Sequence, residues 1–315
     1  MDTRIDSGAS NPAICWWSGG ITSAVACKLA LLTYKHCRVI MLDTWNEDDD
    51  TYRFKSDCES WYGCEIENLS TAKFSDIFSV WEHYKSLNVA RGAICSSVLK
   101  RDVRLNFEKN NSYCAQVFGF EDTPKERKRA KALEMNWPKS QPVFPLITLG
   151  MSKQDCLDYV ANAGIEVPRA YKMGFHNNNC LNTGCIQGGI GYWQKMRDEF
   201  PLKFQAMAER EHHLSSLKGK PVTMLKDQGK AAKESGKFQV FLKPNPEFPE
   251  YKSLSDMKGR PVLPLMECNG FCGSNDLLDP EDRNDSTFKE LNRPQVQLDF
   301  LSELGYSKTE TGGEK

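Results

Sequence analysis

The chain has no internal repeat, no long low-complexity tract, and no apolar run approaching the roughly 18 residues of a membrane span. A solenoid and a membrane-spanning helix are therefore not expected. Residues Met1 to Asn11 are polar and carry no apolar secretory core, so the expected location is cytoplasmic, with no membrane partner. Net charge is almost absent: 41 Lys and Arg against 42 Asp and Glu leave −1. No global field favours DNA or a membrane, so contact with a nucleic-acid acceptor has to come from a local patch. Two phosphate signatures are also missing. There is no Walker loop ending in Gly-Lys-Ser/Thr, and no set of three spaced glycines as in a dinucleotide fingerprint.

What is present suits a soluble globular protein. The 315 residues are 40% hydrophobic and 26% charged, enough for one large domain or two ordinary ones. Short apolar runs alternate with helical periodicity in the first half. Ala13–Trp17, Arg38–Asp43, Glu65–Leu69 and Ala115–Phe120 read as strands. Thr22–Leu32, Tyr52–Tyr62 and the Phe74, Ile77, Phe78, Trp81 face read as helices. Strands separated by helices predict a doubly wound, mainly parallel α/β sheet. Ser152 with Asp155 resembles a capping box, and Gly164 ends the helix it opens. After Pro201, lysines and prolines become frequent and strand signals fade. The expected division is a polar, flexible 1–11, an α/β domain over 12–200, a less regular extension over 201–306, and a disordered tail over 307–315.

The strongest local signal is Ser18-Gly19-Gly20-Ile21-Thr22-Ser23, between the first strand and the first helix. Glycines allow successive N–H groups to face one anion, and the helix adds its positive end. Ser18, Thr22 and Ser23 add hydroxyls. The bland alternative is a simple strand-to-helix turn. Asp43 reads equally as a turn former and as an acceptor for a ribose hydroxyl, an adenine amine or Mg²⁺. The run Lys125–Lys131 holds five basic residues and one acid, and suits either a solvated helix face or an anion or RNA contact.

Twelve cysteines is the unusual count. Cys15, Cys27, Cys37, Cys58, Cys64, Cys114 and Cys156 are scattered singly, and plain packing is expected for them. Cys180 and Cys185 share a loop crowded with Asn and Gly. Cys268 and Cys272 form a second pair beside Gly270 and Gly273, and Cys95 follows Gly92. Four thiolates suit zinc or an iron–sulfur cluster, and zinc is less favoured because neither pair has the Cys-x-x-Cys spacing. Tyr192, Trp193, Phe200 and Phe204 read as an aromatic packing face.

The Ser-Gly-Gly-x-x-Ser turn resembles the pyrophosphate loop of the adenine-nucleotide alpha-hydrolase (PP-loop) superfamily. Further stretches resemble its phosphoadenylyl-sulfate (PAPS) reductase branch: Asp43-Thr44 at the second strand end, Cys95 with Lys100, Gly119 through Arg127, Pro145-Leu146-Ile147, and Tyr171, Gly174 and Cys180. The match runs in order from about Ile14 to Phe200. The glycine-rich stretch from Cys185 to Trp193 resembles divergent bacterial and phage members. The resemblance implies a Rossmann-like fold that binds ATP or a PAPS-type nucleotide. Ser18, Gly19, Gly20, Thr22, Ser23, Asp43, Thr44 and Gly119 would line the nucleotide site, and Ser23, Arg127 and Cys268 would serve catalysis. It also implies a four-iron four-sulfur cluster, for which Cys95, Cys180, Cys185 and Cys272 are the chosen ligands and Cys268 the alternate. Glu267-Cys268-Asn269-Gly270-Phe271 departs from the branch's Glu-Cys-Gly-x-His motif at Asn269 and Phe271.

Three functions follow from these readings. The first is an ATP pyrophosphatase with sulfur-transfer chemistry, drawing on a sulfur donor. The second is a sulfonucleotide reductase in which Cys268 attacks sulfur and a thioredoxin-like reductant restores it. The third is a non-catalytic nucleotide-binding subunit with a structural metal. A homodimer is compatible with any of them.

Overall fold

The computed structural model describes residues 2–89, 92–178 and 180–265. Cys268 and Cys272 lie outside the described residues, as does the expected tail. The first half builds a five-stranded sheet in the order β3-β2-β1-β6-β7, with every pairing parallel. Its strands are β1 (Ala13–Trp16), β2 (Cys37–Leu42), β3 (Ile66–Leu69), β6 (Ala115–Val117) and β7 (Pro142–Val143). A small antiparallel pair, β4 (Asn88–Val89) and β5 (Gly92–Ala93), stands apart from it. The expected strand ends at Trp17, Asp43 and Phe120 lie past the last paired residues. Trp17 and Phe118 each still donate one N–H to a neighbouring strand, at 2.8 and 3.0 Å.

The alternation of β1 explains its burial on both faces. Ile14 and Trp16 join Ile40, Leu42, Phe107, Ala130 and Leu133 in one core. Cys15 and Trp17 join Val25, Phe54, Cys58, Cys156 and Val160 in another. Helices α1 (Ile21–Thr33), α2 (Asp49–Tyr62), α7 (Pro145–Thr148) and α8 (Lys153–Asn162) cover the second face. Helices α5 (Asp102–Asn110) and α6 (Pro124–Asn136) cover the first. This is the doubly wound α/β fold. The caps are local in origin. Asp48 opens α2 by accepting from Asp50 N at 3.1 Å, and Ser152 with Asp155 forms the expected capping box of α8. Gly164, at φ +75°, lies just beyond that helix.

Beyond residue 200 the chain is more regular than its composition suggests. The 18-residue helix α11 (Pro201–Lys218) packs on α10 (Ile190–Glu199). Three short strands, β8 (Leu225–Lys226), β9 (Gln239–Phe241) and β10 (Lys252–Ser253), form a second sheet, with α12 (Lys230–Ser235) between the first two. One buried cluster joins α3 (Ile77–Tyr84) to both parts through Trp81, Trp193, Phe204, Val240 and Leu254. Burying a side chain of that size stabilises the fold by about 1.5–3 kcal/mol. Tyr192, Trp193 and Phe204 are thus packing residues, as expected, with Trp193 fully buried. Of the scattered cysteines, Cys15, Cys27, Cys58 and Cys156 are buried, but Cys64 is exposed and is not a packing residue. Among the described residues no helix is long and apolar enough to cross a membrane.

Candidate functional site

The chain leaves β1 for β2 and β3 on one side, then returns to β6 and β7 on the other. The carboxyl ends of β1 and β6 therefore diverge, and open α/β sheets bind ligands at such a switch point. A cleft of about 420 Å³ opens there. Thr22 and Gly119 form its floor, Glu121, Thr123, Lys125 and Glu126 one wall, and Lys153 with Asn177 the other. Leu263, Pro264 and Leu265 close it.

The glycine turn beneath the cleft is tightly bound. Ser23 Oγ accepts from Ser18 N and from Ser18 Oγ, both at 3.0 Å, and donates to Gly20 O at 2.8 Å. Ile21 N donates to Tyr171 Oη at 3.0 Å. Gly19 has φ +84°, and a Cβ there would lie 2.8 Å from Thr51 Cγ2, so both conformation and space demand glycine. Gly20 caps α1 without a side-chain bond. Of the expected phosphate ligands only Thr22 and Gly119 reach the cleft. Ser18 is half-buried; Gly19, Gly20 and Ser23 are buried, and the Ser23 hydroxyl serves the turn itself. Gly119 has its own requirement. A Cβ would lie 2.5 Å from Ser23 Cα and N, so the chain leaving β6 runs against the first turn of α1.

Asp43 fills the turn role and leaves one atom over. Its Oδ1 accepts from Trp45 N at 2.8 Å and from Tyr52 Oη at 3.0 Å, an Asx-type turn that holds Trp45 at φ +56°. Its Oδ2 is buried with no partner. Thr44 Oγ1 donates to Glu47 Oε1 at 3.3 Å. Arg127 does not line the cleft; its guanidinium is paired with Asp122, which holds its pKa up. In the basic run it is Lys125 that reaches the cleft. Opposite it, Lys153 Nζ lies 3.6 Å from Glu121 and donates to His176 O at 3.0 Å.

The Asn–Cys loop is fastened to the turn. Asn178 Nδ2 donates to Gly19 O at 2.9 Å and to Thr51 Oγ1 at 3.1 Å. Asn177 Oδ1 accepts from Leu265 N at 2.9 Å. Cys180, at φ +51°, donates its N–H to Glu47 Oε2 at 3.0 Å. Glu47 in turn lies 3.8 Å from Lys100 Nζ, and both groups are buried. A void of about 10 Å³, room for one water, separates them from Trp17 and Ser18. Burial, and then the Glu47 carboxylate, push the Cys180 thiol far up; Lys100 opposes this, and Cys185 and Cys95 add to it. Cys185 N donates to Tyr192 Oη at 2.9 Å.

The three described cysteines expected as cluster ligands thus come into one neighbourhood. Among the described residues, however, no group of three or more His, Cys, Asp or Glu is arranged to hold a metal ion. With Cys272 outside the described residues, the described thiols supply only three of the four expected ligands and do not make a cluster site by themselves. Glu121 and Glu126 also line the cleft, and each is ion-paired, Glu121 with Lys153 at 3.6 Å and Glu126 with Arg129 at 3.1 Å.

Sequence reading missed Lys153, Asn177, Asn178, Glu47 and the Leu263–Leu265 segment as site residues. Lys153 stood inside the recognised capping box, and the Asn run stood beside Cys180, so both carried a signal. The Leu263–Leu265 segment carried none.

Residues 12–187, more than half of the chain, match the family described as the phosphoadenosine phosphosulfate reductase domain. No curated protein matches the chain.

Proposed function

The chain belongs to the phosphoadenosine phosphosulfate reductase domain family, and from that premise we propose that it binds ATP in the switch-point cleft and cleaves it between the α and β phosphates. The observation that carries this reading is the lining of the cleft. Lys125 and Lys153 share the lining with two carboxylates, Glu121, 3.6 Å from Lys153, and Glu126, which accepts from Arg129 at 3.1 Å. Lysines alone would suit a bare phosphosulfate. The mixture suits a nucleotide tail that arrives with a divalent cation. Glu121 and Glu126 would hold that Mg²⁺, which offsets negative charge on a leaving pyrophosphate when bound.

In the proposed reaction an oxygen of the acceptor forms a bond to the α-phosphorus. The bond from that phosphorus to the α–β bridging oxygen breaks, and pyrophosphate leaves. The acceptor carries AMP until a sulfur nucleophile displaces it. The protein contributes position and charge. The floor at Thr22 and Gly119 sets how near the tail can approach, and the positive end of α1 faces it. Lys125 and Lys153 neutralise the departing phosphates. Asp43, whose buried Oδ2 does not line the cleft, is given no contact with the nucleotide. No step is assigned to an iron–sulfur cluster.

A specific feature keeps the sulfonucleotide-reductase reading as the second choice. Leu265 lines the cleft, and Cys268 follows it three residues later in the sequence. The absence of the motif's Gly and His at Asn269 and Phe271 weighs against it.

Calorimetry with ATP and an assay for pyrophosphate test the first reading. ATP binding and ATP-dependent pyrophosphate release are expected, and an absence of ATP binding overturns it. Release of sulfite from PAPS that is abolished by Cys268→Ser would establish the second reading instead.

A further inference from the structure

A groove of about 780 Å³ lies between the opening turn of α10 and β8. It has no part in the ATP site, yet it shares a wall with it. Leu263, Pro264 and Leu265 line both. That wall is fixed in place. Val262 O lies 3.1 Å from His176 Nε2, Arg260 N donates to Gln194 Oε1 at 3.0 Å, and Leu265 N is held by Asn177. Gly191 makes the close approach possible, since a Cβ there would lie 2.1 Å from Pro261 O.

The groove is cationic and has an apolar floor. Among the described residues, Lys226 and Arg260 are its only charged lining; Gln187 and Gln228 add amides, and no Asp or Glu lines it. Ile186, Met224 and Leu225 make the floor. The nearest acid in sequence, Asp227, is taken by Lys252 at 2.8 Å. The basic character continues past the groove. Residues 218–260 hold ten Lys or Arg against five Asp or Glu, and all ten basic residues are exposed. In a chain of net charge −1, this segment carries a formal excess of +5 (ten minus five), which favours a polyanion.

We propose that this groove binds a single-stranded nucleic acid, with backbone phosphates on Lys226 and Arg260 and bases against the apolar floor. Single strands are held without reading sequence by a basic groove that tracks the backbone and a surface that takes the base faces; here that surface is aliphatic. A duplex hides its base faces and would leave the floor uncovered. The strand then lies across the shared Leu263–Leu265 segment from the nucleotide cleft. On the ATP reading above, which this assignment of a role rests on, the strand is the acceptor. Binding itself does not depend on that reading.

The test is fluorescence anisotropy of the full chain with a labelled single-stranded oligonucleotide, in DNA and RNA form, across a salt series. Saturable binding to at least one form is expected. Lys226→Glu with Arg260→Glu should weaken it about tenfold or more. The slope of log affinity against log salt should also become shallower, by about 0.7 for each phosphate that is no longer neutralised. Gly189 supplies a second variant. It caps α10 in an extended conformation, lines the groove, and a Cβ there meets nothing within 4 Å. Gly189→Glu should therefore weaken the oligonucleotide without disturbing the fold, and ATP binding by calorimetry should be unchanged in all variants. No strand binding, or binding unaffected by these charges, overturns the proposal. Intact strand binding in a chain that releases no pyrophosphate from ATP overturns the ATP reading and the acceptor role, and leaves the groove assignment standing.

Discussion

Asn178 donates from Nδ2 to the carbonyl oxygen of Gly19 at 2.9 Å, across 159 residues of sequence. The glycine turn and the cysteine loop are therefore one structural unit, since the same amide also reaches Thr51 at the start of α2. Gly19 sits in the left-handed region, and its carbonyl would otherwise face a buried space. Asn178→Ala removes two buried hydrogen bonds and should cost about 1–3 kcal/mol in urea unfolding. It should also weaken ATP binding, because the turn carries the start of α1. An unchanged midpoint and affinity would mean that the turn holds its shape without the loop.

Gly119→Ala is expected to be far more damaging than Gly189→Ala. At Gly119 the new methyl meets backbone atoms of Ser23 at 2.5 Å, and backbone cannot rotate aside. At Gly189 it meets open space. Overpacking of this kind costs about 1–3 kcal/mol or more, and the displaced α1 should lose nucleotide affinity. Thermal unfolding of the two variants side by side decides it; equal melting temperatures would contradict the packing described.

Lys153→Ala and Arg127→Ala separate the cleft from its surroundings. Lys153 lines the cleft, whereas Arg127 is paired with Asp122 outside it. Losing one cation near a phosphate should raise the Kd for ATP by about tenfold, and more at low salt. Arg127→Ala should change it by less than about twofold, because its charge is already balanced. The reverse order in calorimetry would restore Arg127 as a ligand.

Glu211 makes stability depend on pH. Its carboxyl is fully buried and accepts from Met224 N and Leu242 N, both at 2.7 Å. Burial pushes its pKa up to about 8, although the two N–H donors pull it down. The folded state therefore holds a proton that the unfolded chain releases near its ordinary value of 4.5. Its contribution is complete below about 4.5 and is lost as pH rises through about 8. Stability should thus fall between pH 5 and 8.5 by an amount that Glu211→Gln abolishes. That variant should also be less stable at pH 5 by about 1–3 kcal/mol, since its NH₂ faces a backbone donor. A pH profile of unfolding that is the same in both proteins would remove Glu211 as the source.

Several features could be read before folding because their causes are local. The apolar runs from Ala13 and Arg38, the Ser152–Asp155 cap and the glycine turn each depend on neighbours within a few residues. Helix α11 was harder to see, because its buried face includes Glu211 and Ser215 beside Phe204, Met207 and Leu214. A face of that kind interrupts the hydrophobic period, and the residues that satisfy Glu211 stand 13 and 31 positions away. Asp43 shows the same limit. Its type allowed both a turn and a ligand, and only the placement of Trp45 and Tyr52 assigned one oxygen to the turn and left the other unpartnered.

By itself the sequence determined the alternation of strands and helices, the glycine turn after the first strand and the family. All of these rest on short-range patterns of polarity and backbone freedom. Tertiary structure alone decided which side chains meet at the switch point. Lys125, Lys153 and Leu265 come from three separate segments, and a cleft is a relation among segments that only chain crossing and close packing can set.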